Sequence, residues 1–474
     1  MKKKWEPMDW GLSVNSGGEL MIGGVSTVSL ADRFGTPLHV LNEARLIQTA
    51  SSFVYAAQSE YSGKTTVHYA YKCNSVPAVV RVLKEAGLKA EVMSPFELYL
   101  ALNAGHKGGD IIVNGPCKTR KFLEKCLETH VRFIIIDSLE ELEELDILCN
   151  ESGHRADVLL RINPDYTPRG TNQGSATASR KGCAFGLDLK GGEVPEALIR
   201  IKQSKGLEFH GFHFHIGTGL KDSKDYSNAL QCLGQLKKTA EATGFSIRVL
   251  DVGGGFASRT TREFTSRELL VYQGFERLPS ATRNKKEPTH QKFTREISRT
   301  IEKFFPHGAL PELLYEPGRS IASPNQFLLL TVHRVKERRG IKKWLITDGG
   351  LGTVTLPTFY EYHEIFLCND VFRPAVEKST IIGPVCFASD VVYRNKLMPR
   401  VQPGEVLALM DSGAYFTAME SSFGFPHPAI VSVKNNSVSL IRRTETFADM
   451  TGRDVYINPK QQKEEKNEVF RDQT

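Results

Sequence analysis

Long apolar runs are missing from this 474-residue sequence. A helix that spans a bilayer needs about 20 mainly apolar residues, and no stretch comes near that length. The N-terminal MKKKWEPMDWG starts with basic residues but reaches Glu6 and Asp9 where a secretory signal would continue with an apolar segment. We therefore expect neither a membrane protein nor an exported one, and we predict a cytoplasmic location.

Paired cysteines are absent as well. The eight cysteines are scattered and include no C-x-x-C pair, so the sequence predicts neither a disulfide framework nor a zinc site. We expect reduced thiols and no bound metal. With 40 % hydrophobic and 24 % charged residues, the composition excludes a disordered or fibrous chain and is typical of a globular protein with an ample core.

An acidic charge balance is also lacking, since the formal net charge is +7. Most of the excess lies between Arg259 and Lys303, where there are eleven Lys or Arg and six Asp or Glu. A charge confined to one stretch does not predict a nucleic-acid partner. Residues 259–300 exceed an ordinary barrel connection, and we interpret them as a functional insertion or a disordered loop. Contact with an acidic carrier protein, for example through Arg277, is an alternative that nothing else supports.

Short β-branched runs alternate with amphipathic helical segments between residues 65 and 320. This alternation predicts a parallel α/β architecture. Eight such runs fit a TIM-like β/α barrel, although a doubly wound open sheet is an alternative that counting strands leaves open. We assign the barrel to residues 38–325, with the insertion inside it. The predicted strands are TTVHYAY, KAEVM, DIIVNG, RFIIID, ADVLLRINP, FHGFHFHIG, IRVLDVGGG and LLYEPGRSI.

After Ser323 the helical periodicity fades and turn residues separate the apolar runs. Segments such as FLLLTVHRV, STIIGPVC and AIVSVKNNSVSLIRR predict a second, all-β C-terminal domain, a β-barrel or sandwich. We assign it to residues 326–458 together with 1–37. The final residues 459–474 are charged and lack a packing face, which is typical of a mobile tail.

Barrel enzymes carry their chemical groups at the carboxyl ends of the strands. The first predicted strand ends near Lys72, and burial there is expected to lower the lysine pKa and make its amine a nucleophile toward carbonyls. A surface lysine is the alternative for one residue taken alone. Later strand ends supply the ring of His215, the glycines of DVGGG, and the pair Glu316 and Arg319. An amine, a flat ring, an acid, and amides with a guanidinium for a phosphate together describe a pyridoxal phosphate site.

The same motifs resemble those of the fold-type III, pyridoxal-phosphate-dependent amino-acid decarboxylases, and within this ornithine/diaminopimelate/arginine family they are most similar to diaminopimelate decarboxylase. The resemblance implies a β/α barrel with a β domain and pyridoxal 5'-phosphate as cofactor. It also implies decarboxylation of an amino-acid substrate through a Schiff base and a quinonoid, in a homodimer with composite active sites. The matching motifs are HYAYKCN, NGPCK, VLLRINP, GFHFHIGTG, DVGGGF, EPGRS, GPVC, ASD and DSGAY.

The resemblance implies a role for each matching residue. Lys72 would form the Schiff base, His215 would stack on the pyridine ring, and Glu316 would hold the ring nitrogen protonated. Cys386 would enter the site from the partner subunit and donate the proton that replaces CO₂. The remaining cofactor-binding residues would be Arg161, Gly217, Thr218, Gly253, Gly254, Gly255, Gly318, Arg319 and Tyr415.

Two alternatives to a decarboxylase stay open in the sequence. An amino-acid racemase on the same barrel would place an arginine where this sequence has Glu316, so the acid favours decarboxylation. A non-catalytic relative that binds a partner would be expected to lose key residues, yet Lys72, Arg319 and Cys386 are all present.

The expected substrate contacts depart from the family pattern. The family follows its cysteine with an acid that binds a distal amine, and here that position is Phe387. The family arginine that binds a substrate carboxylate corresponds to Thr355, and LGTVTLPTFYEYHE contains no arginine. Asp390 and Tyr362 complete the predicted substrate-binding set. These departures predict an altered substrate, such as a siderophore or other specialised-metabolite intermediate or a D-amino acid, with diaminopimelate as the alternative.

Overall fold

The computed structural model describes residues 5–168, 183–279, 289–305 and 309–455. Within these ranges, eight parallel strands form a closed barrel, because the last strand pairs with the first through Leu313 and Thr65. This closure excludes the open-sheet alternative, and each predicted strand is one of the eight. In chain order they are β1 (Thr65–Ala70), β2 (Lys89–Val92), β3 (Ile111–Val113), β4 (Phe133–Ile136), β5 (Ala156–Asn163), β6 (Leu207–Phe214), β7 (Val249–Asp251) and β8 (Glu312–Tyr315).

Burial and capping explain the alternation of strands and helices. Every residue of β3 and β4 is buried, as expected for parallel strands that are covered on both faces. Ser94 and Ser138 precede two of the helices, and each side chain accepts the backbone N–H three residues later. The surrounding helices are Glu43–Glu60, Pro77–Glu85, Pro95–Asn103, Arg120–Glu128, Leu139–Ser152, Glu193–Gln203, Lys224–Ala229, Leu233–Ala242, His290–Glu302 and Arg319–Ala322.

A second, mostly antiparallel sheet follows the barrel in the chain. The strand Leu38–Asn42 belongs to this sheet, because it pairs with Gln326–Arg338 and Ala429–Lys434. The barrel boundary that the sequence placed at residue 38 therefore moves beyond Asn42. A short apolar run does not reveal a partner almost 300 residues away. The other strands are Lys342–Thr347, Ile365–Leu367, Glu377–Ile382, Val391–Met398, Val406–Leu409 and Ser437–Arg442.

The N-terminal residues pack on this second sheet. Leu20 and Ile22 lie in one apolar core with Val40 and Phe327. The segment comprises the small sheet Ser13–Val14, Leu20–Ile22 and Val25–Ser26 and the helix Thr27–Phe34. The predicted tail 459–474 lies outside the described residues, which end after the helix Phe447–Thr451. None of the helices in the described ranges combines the length and the apolar character that a membrane span requires.

The part of the basic insertion at residues 262–279 packs against the second sheet, whereas residues 290–300 belong to the helix His290–Glu302 beside the barrel. The short strand Arg262–Glu263 pairs antiparallel with Glu361–Tyr362. Phe264, which precedes the helix Ser266–Phe275, and Tyr272, which lies on it, are buried in the core of that sheet. This part of the insertion is therefore a connection between the barrel and the β domain, whereas residues 280–288 lie outside the described ranges.

Candidate active site

Lys72 lies in a single helical turn directly after β1. Its Nζ is 2.5 Å from Oε2 of Glu91, which β2 supplies. Burial lowers the pKa of the lysine, but the charges of Glu91 and Glu316 outweigh it and raise the pKa above its usual value. The prediction of a lowered lysine pKa is therefore wrong. It considered burial alone, because the sequence does not show that an acid on the next strand reaches the amine.

Glu316 follows β8 and is buried inside the barrel. Nδ2 of Asn114 donates to its Oε1 at 2.6 Å, and Nε2 of His213 lies 3.4 Å from the same oxygen. Burial raises the pKa of Glu316, but His213 and Lys72 outweigh it, so the pKa lies well below its usual range. The barrel interior therefore holds an ionised carboxylate.

Asp251 ends β7 beside this carboxylate. Burial, together with the charge of Glu316, raises the pKa of Asp251 well above its usual range. Its Oδ1 accepts the backbone N–H of Gly253 at 2.9 Å, which fixes the start of the glycine loop. Two neighbouring carboxyl groups thus differ in protonation, and the ionised one is Glu316.

His215 and Arg161 lie at the ends of β6 and β5. Burial, with the charge of Arg161, lowers the pKa of His215 to about 3, so its imidazole is neutral and suited to stacking on an aromatic ring. Nδ1 of His215 accepts the backbone N–H of Gly254 at 3.4 Å. The guanidinium of Arg161 is held 3.3 Å from Asp137 and 4.7 Å from the ring centre of Phe185.

The glycines of DVGGG form a crowded loop after β7. A Cβ on Gly254 would lie 2.3 Å from the carbonyl oxygen of Glu316, and one on Gly255 would lie 2.2 Å from that of Gly217. Gly253 has φ = +65°, a conformation that favours glycine. Backbone and not side chain therefore lines this loop, and half-buried Thr218 lies next to it.

Arg319 follows Gly318 at the start of the short helix after β8. Gly318 passes so close to Cys73 that a Cβ would lie 2.9 Å from its Cβ. The guanidinium of Arg319 is buried over the ring of Tyr415 at 5.0 Å, and its Nη1 lies 2.7 Å from Oε1 of Glu361. Among the described residues, its buried Nε has no hydrogen-bond acceptor. A buried N–H donor beside a loop of backbone amides fits a phosphate group.

The residues present therefore fit pyridoxal phosphate. The barrel brings together an amine, a neutral stacking ring, an ionised acid and an anion cradle with an unpaired guanidinium N–H among the described groups. The individual roles of these residues stay predictions.

The predicted substrate residues are distributed over the β domain. Asp390 is buried, and its carboxylate accepts the backbone N–H groups of Leu351 and Val385 at 2.6 and 2.8 Å. These two hydrogen bonds shape the loop that carries Cys386. Thr355 is buried and donates to the backbone carbonyl oxygen of Tyr415 at 3.0 Å.

Tyr362 is also buried, and its hydroxyl accepts from Nζ of Lys396 at 2.6 Å. Cys386 and Phe387 are exposed on the surface of the chain. The ring of Phe387 lies 6.2 Å from that of Phe423. A cysteine on the outer surface fits a role in a partner subunit, which stays a prediction.

Comparison with known proteins identifies the family. The family described as "Pyridoxal-dependent decarboxylase, pyridoxal binding domain" matches residues 48–323, more than half of the chain. The chain belongs to the pyridoxal-dependent decarboxylases. It is therefore an enzyme, a carboxy-lyase that uses pyridoxal phosphate and acts on an amino acid, and the racemase and non-catalytic hypotheses are set aside.

Relatives of known name are similar over nearly the whole length of this decarboxylase. Diaminopimelate decarboxylase of Methanothermobacter thermautotrophicus is 32 % identical over 93 % of this chain and 96 % of its own. That of Methanocaldococcus jannaschii is 30 % identical over 92 % and 95 %. The crystal structure of the M. jannaschii enzyme with L-lysine matches with a TM-score of 0.82 and 29 % identity, covering 94 % of this chain and 98 % of the other.

Several residues around the site of this decarboxylase were missed from sequence. Four of them lie on or directly after strands of the barrel, and their proximity is visible only when the barrel is closed, whereas Glu361 lies outside the barrel sheet. A signal was present for some, since a charged residue interrupts an otherwise apolar strand in KAEVM, and His213 lies two positions before His215 on the same strand face. Glu91, Asn114 and Glu361 were not singled out, and His213 and Asp251 were noted at strand ends but given no role in the site.

Proposed function

We propose that this decarboxylase acts on meso-diaminopimelate and releases L-lysine and CO₂. The observation that carries the proposal is similarity to diaminopimelate decarboxylases at 30–32 % identity over more than nine-tenths of both chains. The structurally similar M. jannaschii enzyme binds L-lysine, which is the molecule left when diaminopimelate loses one carboxyl group. These relatives favour diaminopimelate over the altered substrate that the sequence pattern predicted.

The residues of the chain divide the chemistry among them. Pyridoxal phosphate, when bound, supplies an electron-poor ring that accepts the electron pair left by the departing carboxylate. Lys72 holds the cofactor covalently, and the glycine loop with Arg319 binds the phosphate. His215 orients the ring, and ionised Glu316 holds a proton at the ring nitrogen.

A second candidate is a substrate with a different distal group. The observation that favours it is Phe387, a half-exposed aromatic residue packed toward Phe423 where the family has an acid for the distal amine. The hydroxyl of Thr355 donates to the backbone carbonyl oxygen of Tyr415, and threonine has no positive charge that could bind a distal carboxylate. A charged distal group therefore has no counter-charge at either position.

A panel of amino acids distinguishes the two candidates. We expect CO₂ release from meso-diaminopimelate with a kcat/KM about 100-fold above that for L-lysine, L-ornithine or L-arginine, because recognition of both ends of the substrate is needed for fast turnover. The measurement is CO₂ release by the holoenzyme, with D-lysine, D-ornithine, glutamate and citryl-conjugated diamino acids in the same panel. Release from one of the other compounds alone would replace diaminopimelate by the second candidate.

The variant Phe387→Glu is the matched control for the pocket. If the wild-type enzyme rejects charged distal groups, the new carboxylate should raise kcat/KM for meso-diaminopimelate about tenfold. If the wild-type enzyme already uses diaminopimelate, the variant should leave that value unchanged or lower it. Phe425→Glu, a change at another exposed ring of the same domain, controls for added surface charge.

We further propose a homodimer whose active sites are shared. Exposed aromatic residues on both parts of the chain support it: Phe96 and Tyr99 on the helix after β2, and Phe387 and Phe423 beside Cys386. Large exposed apolar patches mark interaction sites, and these exposed rings are where such an interface is expected. A cysteine from one subunit would then reach the barrel of the other.

Mixing inactive subunits tests the shared site. Cys386→Ala should retain the cofactor and lose about 10²- to 10⁴-fold in kcat, because the proton donor is removed. After random reassociation of equal amounts of Lys72→Ala and Cys386→Ala subunits, about one quarter of wild-type activity should return, since half of the dimers are mixed and each has one intact site. Cys117→Ala, at another exposed cysteine, serves as the control. Absence of recovery in verified mixed dimers would contradict the shared site.

A further inference from the structure

A buried ion pair connects the proposed phosphate arginine to the β domain. Nη1 of Arg319 lies 2.7 Å from Oε1 and 3.0 Å from Oε2 of Glu361. Both side chains are almost fully buried, at 6 % and 1 % exposure. Glu361 lies in the short strand that pairs with Arg262–Glu263 of the insertion. The function proposed above gives this carboxylate no role.

His363 is a second partner of the same carboxylate. Its Nδ1 is 2.8 Å from the carbonyl oxygen of Met410, and its Nε2 is 2.9 Å from Oε2 of Glu361. A carbonyl oxygen only accepts, so Nδ1 carries a hydrogen. Burial raises the pKa of Glu361, but the charge of Arg319 and the hydrogen bond and charge of His363 outweigh it and lower the pKa, so this oxygen also only accepts. His363 therefore contacts the same carboxylate oxygen that accepts from Nη1 of Arg319.

The geometry around Arg319 suits a phosphate. The carboxylate of Glu361 is shared by Arg319 and His363 at a buried place. The contacts of Arg319 with Glu361 and with the ring of Tyr415 hold the guanidinium on one edge and one face. Its Nε is left without an acceptor among the described residues. A buried cation that is already paired needs no rearrangement when an anion arrives.

We propose that Glu361 is a positioning residue for the cofactor phosphate: together with His363 it fixes Arg319 so that the Nε–H of the guanidinium points to the phosphate cradle. The proposal rests on the phosphate-binding role of Arg319 in the function proposed above. Glu361 makes no contact with the cofactor and acts through the arginine. The β domain thereby takes part in holding a cofactor that the barrel binds.

The test compares the binding of pyridoxal phosphate with that of pyridoxal, which lacks the phosphate. Glu361→Gln should raise the dissociation constant of the apoenzyme for pyridoxal phosphate by about 10- to 100-fold, the effect of one lost charge-assisted contact. The dissociation constant for pyridoxal should change by less than about twofold. Both are measured by absorbance titration of the apoenzyme, independently of turnover.

Three further variants make the comparison specific. Glu361→Asp keeps the charge and should restore part of the preference for pyridoxal phosphate. Glu364→Gln removes another carboxylate of the same segment, which pairs with Lys396 at 2.7 Å, and should lower Tm without changing the preference. Arg319→Met should abolish the preference, and adding Glu361→Gln to it should cause no further loss, because the glutamate acts through the arginine.

The outcomes separate the inference from the proposed function. If Glu361→Gln weakens the binding of pyridoxal phosphate and of pyridoxal equally, Glu361 has a purely structural role. If the variant binds pyridoxal phosphate more tightly, Glu361 competes with the phosphate for Arg319. Either result, or no change, overturns the inference while the proposed function stands. A wild-type enzyme with no preference for pyridoxal phosphate over pyridoxal would instead contradict the phosphate role of Arg319.

Discussion

Replacing Lys72 by alanine is expected to abolish turnover and covalent attachment of the cofactor. Lys72 is the amine that β1 delivers into the barrel, and its contact with Glu91 fixes the direction of its side chain. Removal of the nucleophile should lower kcat by on the order of 10³-fold or more. Borohydride treatment of the wild-type holoenzyme should fix the cofactor on the peptide that contains Lys72, as mass spectrometry would show.

The control for this prediction is Lys89→Ala. Lys89 lies on the neighbouring strand β2 and pairs with Asp110 at 3.0 Å, at the half-exposed end of that strand away from Glu316. This variant should keep the absorbance of the bound cofactor and the borohydride adduct. An adduct on another lysine of the wild-type enzyme would remove Lys72 from the proposed chemistry.

Glu316→Gln is expected to have the second largest effect. The ionised carboxylate would be replaced by a neutral amide that cannot hold a proton at the ring nitrogen, and kcat should fall by about 10²- to 10³-fold. Cofactor binding should change much less, because the lysine and the phosphate contacts remain. The measurements are kcat with the preferred substrate and the dissociation constant of the cofactor.

Glu312→Gln provides the comparison on the same strand. Glu312 pairs with Arg132 at 2.7 Å and lies four residues before Glu316. Loss of that ion pair should lower the free energy of unfolding. It should leave kcat within about twofold of the wild-type value, since Glu312 lies at the opposite end of β8 from Glu316. Unchanged kcat in Glu316→Gln would show that the acid is structural, and the buried cluster with Asn114 and His213 would then need another explanation.

Much of the barrel could be predicted because its signals are local. Each strand is a short apolar run, the helices show their own periodicity, and some begin at a capping residue, as Ser94 and Ser138 illustrate. The cofactor was indicated because parallel strands collect their carboxyl ends on one face, so Lys72, His215 and Glu316 could be grouped without coordinates. Residues 38–42 were placed in the barrel domain, whereas they form a strand of the second sheet, because the strand's partners are distant in the chain.

The protonation of the site could not be predicted from the sequence. Lys72 was expected to have a lowered pKa, but Glu91 raises it. The ionised state of Glu316 depends on His213, and its contact with Asn114 joins residues 202 positions apart. Charges at such separations interact only after the chain has folded, and burial magnifies their effect.

The sequence by itself determined the succession of strands and helices, the second β domain and the chemical groups needed for a pyridoxal-dependent decarboxylase. Tertiary structure alone decided which strand joins which sheet, that the insertion packs against the β domain through Phe264 and Tyr272, and that Arg319 is paired with Glu361. The physical reason is that periodicity and capping act within a few residues, whereas strand pairing and buried electrostatics act between segments that only the folded chain brings together.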